Sequence, residues 1–311
     1  MKKLKVLISL TTKDNDYQEE QASVAETTAR RLGVDVEIVY ADNDAITQSQ
    51  QLLKIIQSSS VSPPDGIVFE PVGATALPQV ARAAAAAGIG WVVLNREVDY
   101  IAELRRTYKV PMFSITSDHD EIGRIQGQQF AALLPNGGSV LYVQGPAESS
   151  AARQRTSGMY ETKPAGIQVR SLKAQWTEAS AHKAVSAWLR LSTSRESNVQ
   201  MIAAHDDSMA VGARKAFQEH TSGVDRERWL SLPFLGCDGV PKTGQAWVKS
   251  GILAGTVVVP TNTDMALTML ASAFQTGAQP EERRLTVPSS FPTLEALASS
   301  RAVRRASTSG H

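Results

Sequence analysis

A single cysteine, Cys237, stands in 311 residues. No internal disulfide can form, and no multi-cysteine metal site can be assembled; Cys237 itself is expected as buried packing. Long hydrophobic runs are missing too. None approaches the ~18–20 apolar residues needed to cross a bilayer. The opening Met1-Lys2-Lys3-Leu4-Lys5 resembles the basic start of an export signal. The apolar run behind it, Val6 to Leu10, is too short for one and is soon followed by charged residues, so it reads as a first strand.

Excess charge of one sign is absent as well. Lys and Arg number 32 against 31 Asp and Glu, a formal net charge of +1, and the basic residues are scattered. That leaves no stripe for nucleic acid or an anionic membrane. Catalytic signatures are also lacking. The first loop, Ser9-Leu10-Thr11-Thr12-Lys13, carries no G-x-G-x-x-G, and neither a phosphate-binding G-x-x-x-x-G-K-[ST] nor a G-x-S-x-G elbow occurs. His119, His182, His205, His220 and His311 show no metal-ligand spacing, so no metal site and no cofactor are expected. Asp206-Asp207 comes nearest to paired catalytic carboxylates, but one of the two is expected to cap the helix opening at Ser208. No catalytic residue is predicted.

What is present is a soluble globular composition, 42% apolar and 20% charged. The length suits two α/β lobes better than one core. Short apolar runs alternate with helical patterns along the chain. Strands are predicted at 6–10, 34–38, 67–69, 91–94, 112–116, 139–144, 169–172, 199–204, 234–236 and 255–259. Helices are predicted over about 17–32, 46–56, 74–87, 119–134, 150–163, 180–191, 208–220, 241–250 and 263–275, with 300–311 frayed. Such alternation implies parallel sheets covered by helices on both faces. Ligands of open parallel sheets sit beyond the carboxyl ends of the strands. The residues to watch are therefore 13–18, Glu70-Pro71, Asn95-Arg96, Ser117-Asp118, 145–153, His205-Asp206-Asp207 and Asp238-Gly239. Each has an ordinary structural role open to it: ion pairs for Arg96 and Arg153, packing for Trp176, helix capping for Tyr17 and Asp206, turns for Asn15 and Asp238.

These post-strand segments resemble the type I periplasmic sugar-binding proteins of ABC transporters, in their ribose-binding-like branch. Leu94-Asn95-Arg96 is similar to the family's Leu-Asp-Arg, and Ser150-Ala-Ala-Arg-Gln-Arg155 to its Ser-Ala-Ala-Arg-Glu-Arg. Asp206-Asp207-Ser-Met-Ala-Val-Gly212 resembles Asn-Asp-Glu-Met-Ala-Leu-Gly, and Gly236-Cys-Asp238-Gly239 resembles Gly-Phe-Asp-Gly. The chain departs from that pattern at Gln18, where the family has a second loop aromatic, and at Val258 or Val259, where it has a glutamine. The resemblance covers about residues 3–290. It implies two flavodoxin-like parallel-sheet lobes, 1–117 with 260–288 and 118–259 with 289–311, joined by a three-crossing hinge. It also implies a ligand site built from Asn15, Tyr17, Asn95, Arg96, Arg153, Trp176, Asp206 and Asp238, which would grip a monosaccharide or polyol. The implied protein is a periplasmic monomer whose export signal lies outside this numbering and which serves a membrane permease or a chemoreceptor or sensor kinase; a cytoplasmic location is the alternative. The competing readings are a ligand-sensing regulatory core of the lactose-repressor type without its DNA-binding headpiece, and a sugar hydrolase or epimerase using Asp206 and Asp238.

Overall fold

A computed structural model of the chain describes residues 3–58, 62–73, 76–195 and 198–300. The expected frayed tail lies outside them from residue 301 on. In chain order the first elements are β1 (Lys5–Leu10), α1 (Asp16–Leu32), β2 (Asp35–Tyr40), α2 (Ala45–Ile56), β3 (Gly66–Phe69) and α3 (Pro78–Ala86). Next come β4 (Gly90–Leu94), α4 (Ile101–Thr107), β5 (Met112–Ser117), α5 (His119–Leu133), β6 (Gly138–Gln144) and α6 (Ser150–Thr162). They are followed by β7 (Ile167–Lys173), α7 (Glu178–Leu189), α8 (Ser192–Arg195), β8 (Met201–Ala204), α9 (Asp207–His220) and α10 (Gly223–Ser231). The last are β9 (Phe234–Leu235), α11 (Gly244–Lys249), β10 (Thr256–Val258), α12 (Thr263–Thr276), β11 (Arg283–Thr286) and β12 (Ser289–Phe291). None of these helices is long and apolar enough to cross a membrane.

The described residues fall into two compact units. One comprises those up to Ser117 with Thr261–Thr286, the other Asp118–Pro260 with those from Val287 on. The chain therefore passes between units three times.

The first unit holds a six-stranded parallel sheet in the order β11-β5-β4-β3-β1-β2. The central strands β3 and β4 are buried at every position and read as unbroken apolar runs, because helices cover both their faces. On one face Leu7, Ile67, Phe69 and Trp91 pack against Leu52, Ala84 and Leu104. On the other, Ile8, Val68 and Val92 meet Ala25, Leu267 and Leu270. Helix α1 begins at Asn15, whose side chain accepts from Tyr17 and Gln18 N–H, and stops at Gly33 in the left-handed region (φ 67°). Helix α12 arrives from far along the chain. Its buried first N–H groups, which no residue of the helix itself caps, are met by α1: Gln21 Oε1 accepts from Asn262 N (2.9 Å) and Thr263 N (3.1 Å).

The second unit has a parallel sheet ordered β7-β6-β8-β9 and an antiparallel pair, β10 with β12. One core lies beneath α7 and α9 around Leu141, Val185, Ile202 and Phe217, and another around Phe130, Tyr142, Met159 and Met201. Helices α5 and α6 touch backbone to backbone. A Cβ at Gly123 would lie 2.1 Å from the Arg155 carbonyl oxygen, and one at Gly158 would lie 2.0 Å from that of Asp120.

Five elements go beyond the pattern read from the sequence: α4, α8, α10, β11 and β12. Helix α4 is only 7 residues long, and α10 (GVDRERWLS) buries little beyond Trp229. Strand β11 is an edge strand whose sequence, RRLT, is exposed at three of four positions. Apolar periodicity cannot mark elements that bury so little. Helix α3 starts at Pro78, since proline sits naturally in a first helical turn; positions 74 and 75 of the expected helix lie outside the described residues.

Candidate functional site

In the first unit the ends of β3, β4 and β5 bring Glu70, Asn95, Arg96 and Ser117 together, and all four are buried. Gln48 of α2 secures the loop after β3 by donating to the Glu70 carbonyl (2.8 Å) and accepting from Val72 N (2.9 Å). Glu70 Oε2 then accepts from Gln18 Nε2 (2.9 Å) and Asn95 Nδ2 (3.0 Å), while an Arg96 nitrogen stands 3.6 Å from Oε1. Asn95 Oδ1 accepts from Asn262 Nδ2, and Asn95 Nδ2 reaches the buried Tyr17 hydroxyl at a long 3.5 Å. Arg96 also donates to the Asn95 carbonyl (2.7 Å). Buried polar groups this closely matched form a rigid network, because the low local dielectric penalises any arrangement that breaks it. Asn15 is used differently. It is the N-cap of α1, its side chain engaged with the helix's own N–H groups.

In the second unit the ends of β6 and β8, the loop after β9 and the start of α6 supply the groups. Gln126 of α5 donates to the Ala204 carbonyl (2.8 Å) and accepts from the Tyr142 hydroxyl (2.6 Å), which holds the end of β8. His205 follows at once and is fully buried. Its Nδ1 accepts from Gly145 N at 3.0 Å, so the neutral ring carries its proton on Nε2. Burial, then the charges of Arg155, Lys173 and His119, push its pKa well below the usual histidine value. Trp176 stacks on this ring (centroids 5.9 Å, 24°) and lies under the Arg155 guanidinium at 5.5 Å. Gly145 makes room for the indole, which a Cβ there would approach to 2.4 Å.

Arg155 donates to the His205 carbonyl and stands 3.7 Å from Asp238 Oδ1. Arg153, two residues earlier on the same helix, is exposed and donates to the Ala147 (3.2 Å) and Glu148 (2.8 Å) carbonyls. The guanidinium beside Asp238 is thus that of Arg155. Asp206 is buried as the N-cap of α9, with Oδ1 accepting from Met209 N (2.5 Å). Its neighbour Asp207 turns the other way, accepts from Gly239 N (2.7 Å) and packs against Gly236 and Gly244, where a Cβ would come within 2.0 Å of its carboxylate. Asp207 thereby fixes the Asp238 loop. Cys237, fully buried in the same loop, has its thiol pKa pushed well up, chiefly by burial.

Asn95 (φ 54°), Trp176 (φ 61°) and Asp238 (φ 105°) share a strained backbone, being three of six described non-glycine residues with positive φ. Such conformations cost on the order of 1–3 kcal/mol each and persist where the surroundings over-determine them, as at ligand sites. No sequence pattern pointed to this clustering.

Within the units, then, Tyr17, Asn95 and Arg96 come together around Glu70 in one, and Trp176 and Asp238 around Arg155 in the other. Asn15 and Asp206 serve as helix caps at the margins, and the exposed Arg153 is held by the Ala147 and Glu148 carbonyls. The sequence reading marked His205 as a post-strand residue without giving it a role, and named neither Asn262 nor, as a site residue, Arg155. Arg155 lies just beyond the marked segment 145–153, while Asn262 reaches Asn95 across 167 residues and has no local signal.

A family model described as Periplasmic binding protein domain matches residues 6–277. A putative rhizopine-binding protein of Rhizobium meliloti is 27% identical over 198 residues, 62% of this chain and 60% of that protein, less than two thirds of its length. The ribose import binding protein RbsB of Bacillus subtilis is 26% identical over 256 residues, 82% of this chain and 76% of that protein. The crystal structure of a galactofuranose binding protein has the same fold, with a TM-score of 0.78 at 22% identity over 97% of this chain and 99% of that one. The α/β architecture, the strand-end polar groups and the match over most of its length agree: the chain belongs to the periplasmic binding protein domain family.

Proposed function

We propose that the chain binds a monosaccharide or related polyol, closes its two units on it, and presents it to the membrane permease of an ABC transporter from the periplasmic side. It does so as a monomer and without catalysis. One observation carries the reading. Each unit holds a buried carboxylate facing a guanidinium at slightly more than hydrogen-bond distance, Glu70 with Arg96 at 3.6 Å and Asp238 with Arg155 at 3.7 Å. A sugar hydroxyl is both donor and acceptor, so it suits such a pair: it donates to the carboxylate and accepts from the guanidinium. The half-buried indole of Trp176 suits the apolar C–H face of a sugar ring. Charge-assisted bonds contribute about 1.5–3 kcal/mol each, and four or five support roughly micromolar binding once ordering costs are subtracted. Relatives named for ribose and rhizopine support this ligand class without selecting a member.

The test is calorimetry and thermal shift against a broad panel of pentoses, hexoses and inositols. One strong responder should raise the melting temperature, by on the order of 5 °C at a hundredfold excess over Kd. Asp238→Asn should weaken that ligand at least tenfold. Arg153→Ala distinguishes the resemblance from the packing. If Arg153 touches ligand, affinity falls while the unliganded melting temperature stays put. If Arg155 alone is the contact, Arg153→Ala binds normally. A panel with no responder overturns the proposal.

A further inference from the structure

Helices α7 and α9 lie side by side and run the same way. Glu178 of α7 pairs with Lys215 of α9 and, one turn on along both helices, His182 pairs with Glu219. Gly212 sets how near the two come, since a Cβ there would stand 2.2 Å from the Glu178 carbonyl oxygen. This backbone contact holds the side chains of the following turns at short range. His182 Nε2 is 2.8 Å from Glu219 Oε2, and the His220 ring lies 5.6 Å from that of His182. One ligand atom from each of His182, Glu219 and His220 falls within 4.8 Å of the other two, the one such trio among the described residues.

We propose that His182, Glu219 and His220 form a binding site for a divalent transition metal of the Zn2+ or Ni2+ type. Two imidazole nitrogens and one carboxylate oxygen make a zinc-type donor set, with water as the fourth ligand. Nitrogen donors also select against Mg2+ and Ca2+, which take oxygen. Metal–ligand bonds of about 2.0–2.1 Å place tetrahedral donors roughly 3.4 Å apart. The His182–Glu219 pair is already inside that distance, and the exposed His220 reaches it by a side-chain rotation. His220 ends α9, where the carbonyl ends of the helix favour a cation. The bound ion takes the place of the His182–Glu219 hydrogen bond and ties α7 to α9. This departs from the sequence expectation of no metal site. The ligands sit on two helices 37 residues apart, and such a separation leaves no short motif.

The experiment uses the tag-free full chain, stripped with chelator and titrated calorimetrically with ZnCl2, then NiCl2. One ion should bind per chain, with Mg2+ giving no heat, and Zn2+ should raise the melting temperature. Co2+ in place of Zn2+ should give the visible absorption of a tetrahedral nitrogen–oxygen site. His182→Ala and His220→Ala should each weaken Zn2+ at least tenfold and abolish the Co2+ spectrum, with the metal-free melting temperature unchanged. If either histidine variant binds Zn2+ as tightly as the native chain, or millimolar Zn2+ gives neither heat nor a thermal shift, the site is refuted. Should His182→Ala melt early through loss of its Glu219 pair, His220→Ala and the Co2+ spectrum decide the matter. The outcome is independent of whether any sugar binds.

Discussion

His205 titrates against its surroundings. It is fully buried, accepts from Gly145 N and is held neutral by burial and by neighbouring cations, so its folded pKa lies well below that of the unfolded chain. Below about pH 6.5 the unfolded state therefore binds a proton that the folded state refuses, and folding stability falls as pH drops. The contribution approaches about 1.4 kcal/mol per pH unit once the unfolded imidazole is protonated, and ends at the depressed folded pKa. Urea denaturation at pH 7 and pH 5 should show this loss in the native chain and a smaller one in His205→Gln. Equal losses in both would show that other groups carry the acid sensitivity. At this scale the sequence was only partly legible. It marked Asn95, Arg96 and Asp238 because they follow strands. It chose Arg153, whereas the guanidinium beside Asp238 is that of Arg155; two residues on a helix differ by about 200° in direction, and only the packing of α5 on α6 decides which faces Asp238.

That packing belongs to the elements. Gly123 and Gly127 stand one turn apart on α5 against Arg155 and Met159 of α6, and Gly158 of α6 stands against Asp120. Gly123→Ala would drive a methyl to 2.1 Å from the Arg155 carbonyl oxygen, so the helices must part. Overpacking of this kind costs about 1–3 kcal/mol. It should also move Arg155 relative to Asp238 and lower ligand affinity together with stability. Gly251→Ala is the control, at a left-handed position with open space around it (φ 79°), where only backbone strain applies. If Gly123→Ala melts no lower than the native chain, the helix contact is looser than described. The central strands were readable as unbroken apolar runs, because both their faces are buried, and the long helices from apolar periodicity, because each buries one face. Elements burying little, α4, α10 and β11, were not.

For the whole molecule, the decisive feature is that neither unit is one continuous stretch of chain. Residues up to Ser117 leave the face of β1, β3 and β4 without Ala266, Leu267 and Leu270 of α12, and Leu270 Cδ2 lies where a Cβ on Gly66 would come within 2.6 Å of it. A fragment of residues 1–117 should accordingly give no cooperative urea transition. The same fragment joined by a short glycine-serine linker to residues 261–286 should give one. The splice is short, because Ser117 Oγ lies 3.1 Å from Thr286 Oγ1, which in turn donates to Asn262 Oδ1 at 3.3 Å. Cooperative unfolding of 1–117 alone would show that α12 is an accessory rather than part of the core.

By itself the sequence determined the alternation of strand and helix, the parallel sheets and the positions following each strand. Those depend on periodicity and turn chemistry, which are properties of neighbouring residues. Only the tertiary structure decided that Arg155 rather than Arg153 meets Asp238, that Asn262 closes the network on Asn95, and that His182 finds Glu219. Each is a contact between residues far apart in the chain. Its existence depends on how closely whole helices pack, down to the glycines that let their backbones touch.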